Sequence, residues 1–222
     1  NSLNKIMDKL TTCRFRFGTT GTLDGTKTHK LVLTGMFGEA LQVTSTRKLI
    51  DNKTLADFKI QAIVLKYPKE NCKEIRKMKY SDEVEWIVTN PRRNEFIKNL
   101  TLDLKGNTLV LYNFVEKHGV PLHKLISDSV IGERKVFFVS GNVDADTREQ
   151  IRATTETEDD AIIVASYGTF STGINIRNLH NVVFTSPSKS RIRNLQSIGR
   201  GLRKGNNKTS AVLYDIADDL RH

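Results

Sequence analysis

Five short apolar segments in the second half of the chain set the strongest limit on its fold. They are Thr108–Tyr112, Lys135–Val139, Ala161–Ala165, Asn181–Thr185 and Ala211–Tyr214. Each is rich in Val, Ile, Leu or Phe and does not alternate cleanly, which is the pattern of strands buried on both faces of a parallel sheet. They recur about every 20 to 30 residues, close to the period of a β-α-β unit. Helical patterns fill the gaps: Trp86–Leu100, Glu116–Ser127 with Pro121 inside it, Thr147–Thr155 opening on a Thr147/Gln150 capping box, and Ser190–Arg203. Such alternation predicts a doubly wound α/β domain, a mostly parallel sheet with helices on both faces.

The first 55 residues read differently. Cys13–Phe17 is a short strand-like run that enters Gly18-Thr19-Thr20-Gly21-Thr22, followed by a helix-like stretch and a turn near Asp51-Asn52. That piece is too short to fold alone. It is expected to be the tail of a preceding domain, with residues 1–55 as tail and linker and 56–222 as the main domain.

Composition narrows the function classes. With 38% hydrophobic residues the chain can build a core, and no apolar run approaches the roughly 20 residues of a membrane helix. Asn1–Leu10 has no signal-peptide core. Cys13 and Cys72 lack metal-type spacing and suit a reducing, cytoplasmic setting. His118 and His123 stand without a cysteine or carboxylate cluster, so no metal site is expected. There are 35 Lys and Arg against 25 Asp and Glu, a formal +10. The surplus gathers in two stretches, Lys66–Lys79 and Lys189–Lys204, with a largely acidic Asp144–Asp160 between them. This asymmetry fits a polyanionic partner, and charge alone fits an ordinary solvated basic surface equally well.

Two motifs carry chemistry. In Gln196-Ser197-Ile198-Gly199-Arg200-Gly201-Leu202-Arg203, a helix would place Gln196, Arg200 and Arg203 on one face and Leu195, Ile198 and Leu202 on another. Two guanidiniums one turn apart bind phosphate oxygens through planar, permanently charged forks. Gly199 and Gly201 each cost about 1 kcal/mol in a helix relative to Ala, which argues against a merely solvated amphipathic helix. The second motif runs from the strand Ala161–Ala165 into Ser166-Tyr167-Gly168-Thr169-Phe170-Ser171-Thr172-Gly173-Ile174-Asn175. A small, hydroxyl-rich loop at a strand's carboxyl end is where open α/β sheets bind ligands.

In order and content these segments resemble superfamily 2 helicases. Phe17–Leu23 resembles motif III, Leu109–Phe114 motif IV, Ser166–Ile176 motif V and Gln196–Arg203 motif VI. Ser140-Gly141 with Arg148 resembles the strand-end and helix elements between motifs IV and V. The resemblance implies a second RecA-like motor domain preceded by a remnant of the first. It implies that Arg200 and Arg203 reach the γ-phosphate of ATP held on the other domain, with Gln196 supporting them. Gly173 and Asn175 would lie near the ribose, and Thr20 and Thr22 would couple nucleotide state to strand grip. Asn113, Gly141, Thr169 and Arg148 would lie along the nucleic-acid backbone. ATP and Mg²⁺ would be held mainly by the preceding domain in cis. The implied partner is DNA, branched or forked, with an RNA-DNA hybrid as the alternative, and no membrane.

This chain contains no Gly-x-x-x-x-Gly-Lys-Ser/Thr, and Gly21–Lys27 has the wrong spacing for one. Asp82-Glu83-Val84-Glu85 follows a polar, basic stretch and not a buried strand, so it reads as a solvated helix start. The chain alone is therefore expected not to hydrolyse ATP. A rival reading is a non-catalytic nucleic-acid-binding module, which would bind DNA tightly and with steep salt dependence unaided.

Overall fold

Buried strands dictate the architecture of the computed structural model, which describes residues 2–20, 27–173, 176–188, 199, 203–204 and 208–220, with the side chains of 2, 27–29 and 171–173 outside the description. Strands β2 (Thr108–Tyr112), β4 (Ile162–Ser166) and β5 (Asn181–Phe184) are buried at every position. Each has a strand on either side and a helical layer over each face, so no residue faces water and the sequence has no reason to alternate. With β1 (Asp57–Lys66), β3 (Val136–Val139) and β6 (Ser210–Asp219) they form a six-stranded, wholly parallel sheet in the order β1-β6-β5-β2-β4-β3.

A period of two persists inside the apolar runs. Leu109 and Leu111 of β2, with Ile163, Ala165, Val182 and Leu213, face a layer holding Ile151, Tyr167 and Phe170 from α8 (Ala145–Thr157) and α9 (Tyr167–Gly173). Val110 and Tyr112, with Ile162, Val164 and Val183, face Ile97 of α6 (Pro91–Asp103) and Leu122 and Ile126 of α7 (Val120–Ser127). Helices thus cover both faces, and each fully buried Val, Leu or Ile contributes about 1.5 to 3 kcal/mol.

Several local expectations are corrected. The expected helix Trp86–Leu100 is two helices, α5 (Tyr80–Thr89) and α6, broken at Asn90-Pro91. Proline disfavours helical geometry in the residue before it. Asn90 adopts extended angles and caps α6 by accepting from Arg93 N. Asp82 and Glu83 lie in the first turn of α5, and Glu85 pairs with Lys117 on the surface at 2.7 Å. A π-helix, Val115–Gly119, precedes α7, and Pro121 sits in the first turn of α7 where no backbone N–H is needed. α8 is capped by Asp144, not Thr147, with the carboxylate accepting from Thr147 N (2.8 Å) and Oγ1 (2.7 Å). β1, absent from the sequence reading, is an exposed edge strand in which Ile60 and Val64 face solvent. The expected helix Ser190–Arg203 falls almost wholly outside the described residues.

The chain divides into two compact units, Asn1–Lys48 and Leu49–His222. The first holds α1 (Ser2–Met7), α2 (Lys27–Phe37) and the start of α3 (Thr46–Asp51). Cys13–Phe17 is not a strand: the described residues of this unit offer it no strand to pair with, and Phe15 and Phe17 are exposed. A further helix described in the second unit is α4 (Lys69–Ile75).

Candidate nucleotide and nucleic-acid interface

Since every strand runs the same way, the carboxyl ends of all six open on one edge of the sheet. The chain leaves β2 for β3 and β4 on one side and then passes to β5 and β6 on the other. Such a reversal of strand order leaves a crevice at the carboxyl ends, the usual ligand position in this architecture.

Asn113 follows β2 directly. Its N–H donates to Ser186 Oγ (3.1 Å) and its Nδ2 donates to Pro187 O (3.0 Å). Ser186 lies beyond β5, where Thr185 Oγ1 donates to Leu111 O at 2.7 Å. The Ser186 hydroxyl also lies 3.0 Å from His118 Nδ1. Burial, followed by the positive charge of Arg93, pushes the His118 imidazole down to about 3. A neutral ring can accept the hydroxyl proton at Nδ1, so Asn113 N–H, Ser186 and His118 form one directed chain. It locks the loop after β2 to the loop after β5.

On the other side of β2, Gly141 is exposed at the end of β3 and Thr169 is buried at the start of α9. A Cβ at Gly141 would lie 4.0 Å from Thr169 Oγ1, which places the two side by side. Ser166 Oγ donates to Thr169 Oγ1 (2.8 Å) and accepts from Thr169 N (3.2 Å), so the serine caps the short α9. Arg148, in the first turn of α8, donates from Nε to Asp144 O at 3.3 Å. Gly173 ends α9.

Arg203 is exposed. Its carbonyl accepts from Lys208 Nζ (2.9 Å), which also reaches Arg177 O (3.3 Å). The buried ammonium therefore ties the end of the Gln196–Arg203 run to the segment just beyond α9. Burial lowers Lys208 to about 8, partly offset by Glu156. Gly199 is helical. Thr20 is exposed in the first unit. Gln196, Arg200, Asn175 and Thr22 lie outside the described residues. Ser186, His118 and Lys208 were not anticipated as site residues. The signal for Ser186 was present in Thr185-Ser186-Pro187, a hydroxyl pair closing a buried apolar run.

Residues 92–205 match the family described as the helicase conserved C-terminal domain. The chain belongs to that family, within superfamily 2, and its six-stranded parallel sheet with helices matches the RecA-like fold. It is 38% identical over 220 residues to the ATP-dependent DNA helicase uvsW of Enterobacteria phage T4, covering 98% of this chain and 43% of that protein. The crystal structure of T4 UvsW superposes with a TM-score of 0.64 at 36% identity, over 99% of this chain and 42% of that one. A fragment of a putative type I restriction HsdR subunit from Vibrio vulnificus shares the fold, with a TM-score of 0.66 at 20% identity over 89% of this chain and 38% of that one. The chain thus spans less than half the length of the curated helicase it matches.

Proposed function

We propose that the chain is the second motor domain of an ATP-dependent DNA helicase or translocase resembling UvsW. It acts on branched or forked DNA in recombination and fork repair, in the cytoplasm of the host cell. The observation that carries this reading is the shared edge on which Asn113, Gly141 and Thr169 gather at the ends of β2, β3 and β4. A backbone tracking that edge meets, after β2 and after β4, loops locked by the buried hydroxyls of Ser186 and of Ser166 and Thr169. Preordered loops of this kind bind without a large ordering cost.

Arg200 and Arg203, supported by Gln196, act as arginine fingers toward ATP bound on the preceding domain, and Gly173 and Asn175 approach its ribose. Mg²⁺ belongs with the phosphates on that other domain. Among the described residues no group of three His, Cys, Asp or Glu could hold a metal. Thr20 and Thr22 relay nucleotide state to the DNA grip. In trans or in cis, a finger of this type is worth ~10³ to 10⁵ in rate in the GTPase systems where it is best measured.

In the intact protein, Arg203→Ala is expected to abolish DNA-stimulated ATP turnover while DNA affinity, read by fluorescence anisotropy, stays near wild type. Turnover at the wild-type rate would end the arginine-finger assignment. The isolated chain is expected to show no ATP hydrolysis with or without DNA.

A further inference from the structure

Beside the loop after β5, a cleft of about 580 Å³ opens where β1 ends, between Lys66-Tyr67 and the first turn of α6. Three cations line it, Lys66, Arg92 and Arg93, and no carboxylate does. Tyr67 and Phe96 supply apolar wall. Arg93 is fully buried, with Nε donating to Asp218 (2.8 Å) and one terminal nitrogen to Thr185 O (2.7 Å). Its other terminal nitrogen has no hydrogen-bond partner among the described residues, an uncommon state for a buried donor. Lys66 and Arg92 are exposed and form no ion pair among the described residues. The first turn of α6 adds the partial positive charge of a helix start. The site is therefore built for an anion.

The surroundings point to a polymer in place of a small molecule. In sequence the cleft residues Lys66–Pro68 run on into Lys69, Lys73, Arg76, Lys77 and Lys79, all exposed, with Glu70 and Glu74 the acidic residues among them. A free nucleotide would need the cleft alone. β1 stands three strand positions from β2, about 14 Å at the ordinary spacing of ~4.8 Å. A stacked strand crosses that gap in about four nucleotides at ~3.4 Å each.

We propose that this cleft seats a backbone phosphate of the same DNA strand after it leaves the loops beyond β2, β3 and β4, an inference that rests on the DNA-motor reading. The contact is sequence-independent and lengthens the footprint of the domain.

The test uses the intact helicase and Lys66→Ala/Arg92→Ala, two exposed positions outside the core. Affinity is measured against salt concentration with a single strand long enough to reach the cleft and with one confined to the loops. Each lost phosphate contact should flatten the log–log salt slope for the long strand by about 0.7. Binding of the short strand, and ATP turnover saturated with it, should not change. Lys66→Arg/Arg92→Lys should restore the slope. An unshifted slope in a wild-type background that responds to DNA would overturn the cleft alone. Weakened binding of a fluorescent ATP analogue with the DNA slope intact would assign the cleft to free nucleotide phosphate and also overturn it. A wild-type protein whose ATP turnover ignores DNA would take the motor reading down with it, and is recognised before any variant is made.

Discussion

His118 is held uncharged by its surroundings, and that has a measurable cost in acid. In the unfolded chain an imidazole takes up its proton near pH 6.5, whereas in the fold burial delays this to about 3. Between those values the unfolded state binds more protons, so stability falls as pH drops, by at most about 1.4 kcal/mol per pH unit from this group. The wild-type domain should therefore lose denaturant resistance from pH 7 to pH 5, and His118→Gln should lose less over the same interval. Equal losses would show that the ring does not titrate as its burial demands. Lys208 makes a second prediction at this scale. Lys208→Met keeps the length of the side chain and removes the donor shared by Arg177 O and Arg203 O. Small misplacements of catalytic groups cost up to about a hundredfold in rate. ATP turnover of the intact protein should fall about ten- to hundredfold with DNA affinity retained. Unaltered turnover would confine Lys208 to a packing role. Neither residue was read from the sequence in this role, because the hydroxyl that meets His118 lies 68 positions away and one of the two carbonyls that meet Lys208 lies 31 away.

The elements that were legible are those whose own residues decide their environment. β2, β4 and β5 are buried throughout and apolar except at Thr108, Ser166 and Asn181, a composition that suits a doubly covered parallel strand. β1 was not legible because it lies at the edge: its exposed face carries Ile60 and Val64, so period and burial disagree. The α5–α6 break was encoded in Asn90-Pro91, yet the apolar period continues across it and hides it. The candidate site divides in the same way. Gly141 and Thr169 sit at strand ends that the sheet order makes neighbours, while the Ser186–His118 lock depends on a π-turn that no local pattern announces. That turn makes its own prediction. A Cβ on Gly119 would stand 2.4 Å from Tyr112 Cζ, deep in the core. Gly119→Ala must push Tyr112 off its stack with Phe138 (centroids 5.7 Å apart), and overpacking of this kind costs about 1 to 3 kcal/mol. Chemical denaturation should show that loss. A variant as stable as wild type would mean the helix is free to relax there.

For the whole molecule, the decisive question is where the cooperative unit begins. The sequence divides at residue 55, before the first segment it recognises as part of the sheet. The fold divides at Lys48 and Leu49, and local bonding favours the earlier point. Thr54 N and Leu55 N both donate to Leu49 O, and Lys53 takes a left-handed φ of 57° to close that turn. Asp57 N then donates to Thr209 O, and β1 pairs with β6 over ten residues. The turn therefore delivers β1 to the sheet, and β1 in turn shields β6, which would otherwise present a long unpaired edge. A fragment spanning 49–222 is expected to unfold in one cooperative transition, with circular dichroism and tryptophan fluorescence giving the same midpoint as the second unit of the full chain. A fragment spanning 68–222, which lacks β1, should unfold at lower denaturant and self-associate through the exposed β6. Should both fragments unfold at the same midpoint and remain monomeric, β1 would be an appendage of the sheet and the cooperative unit would start at α4.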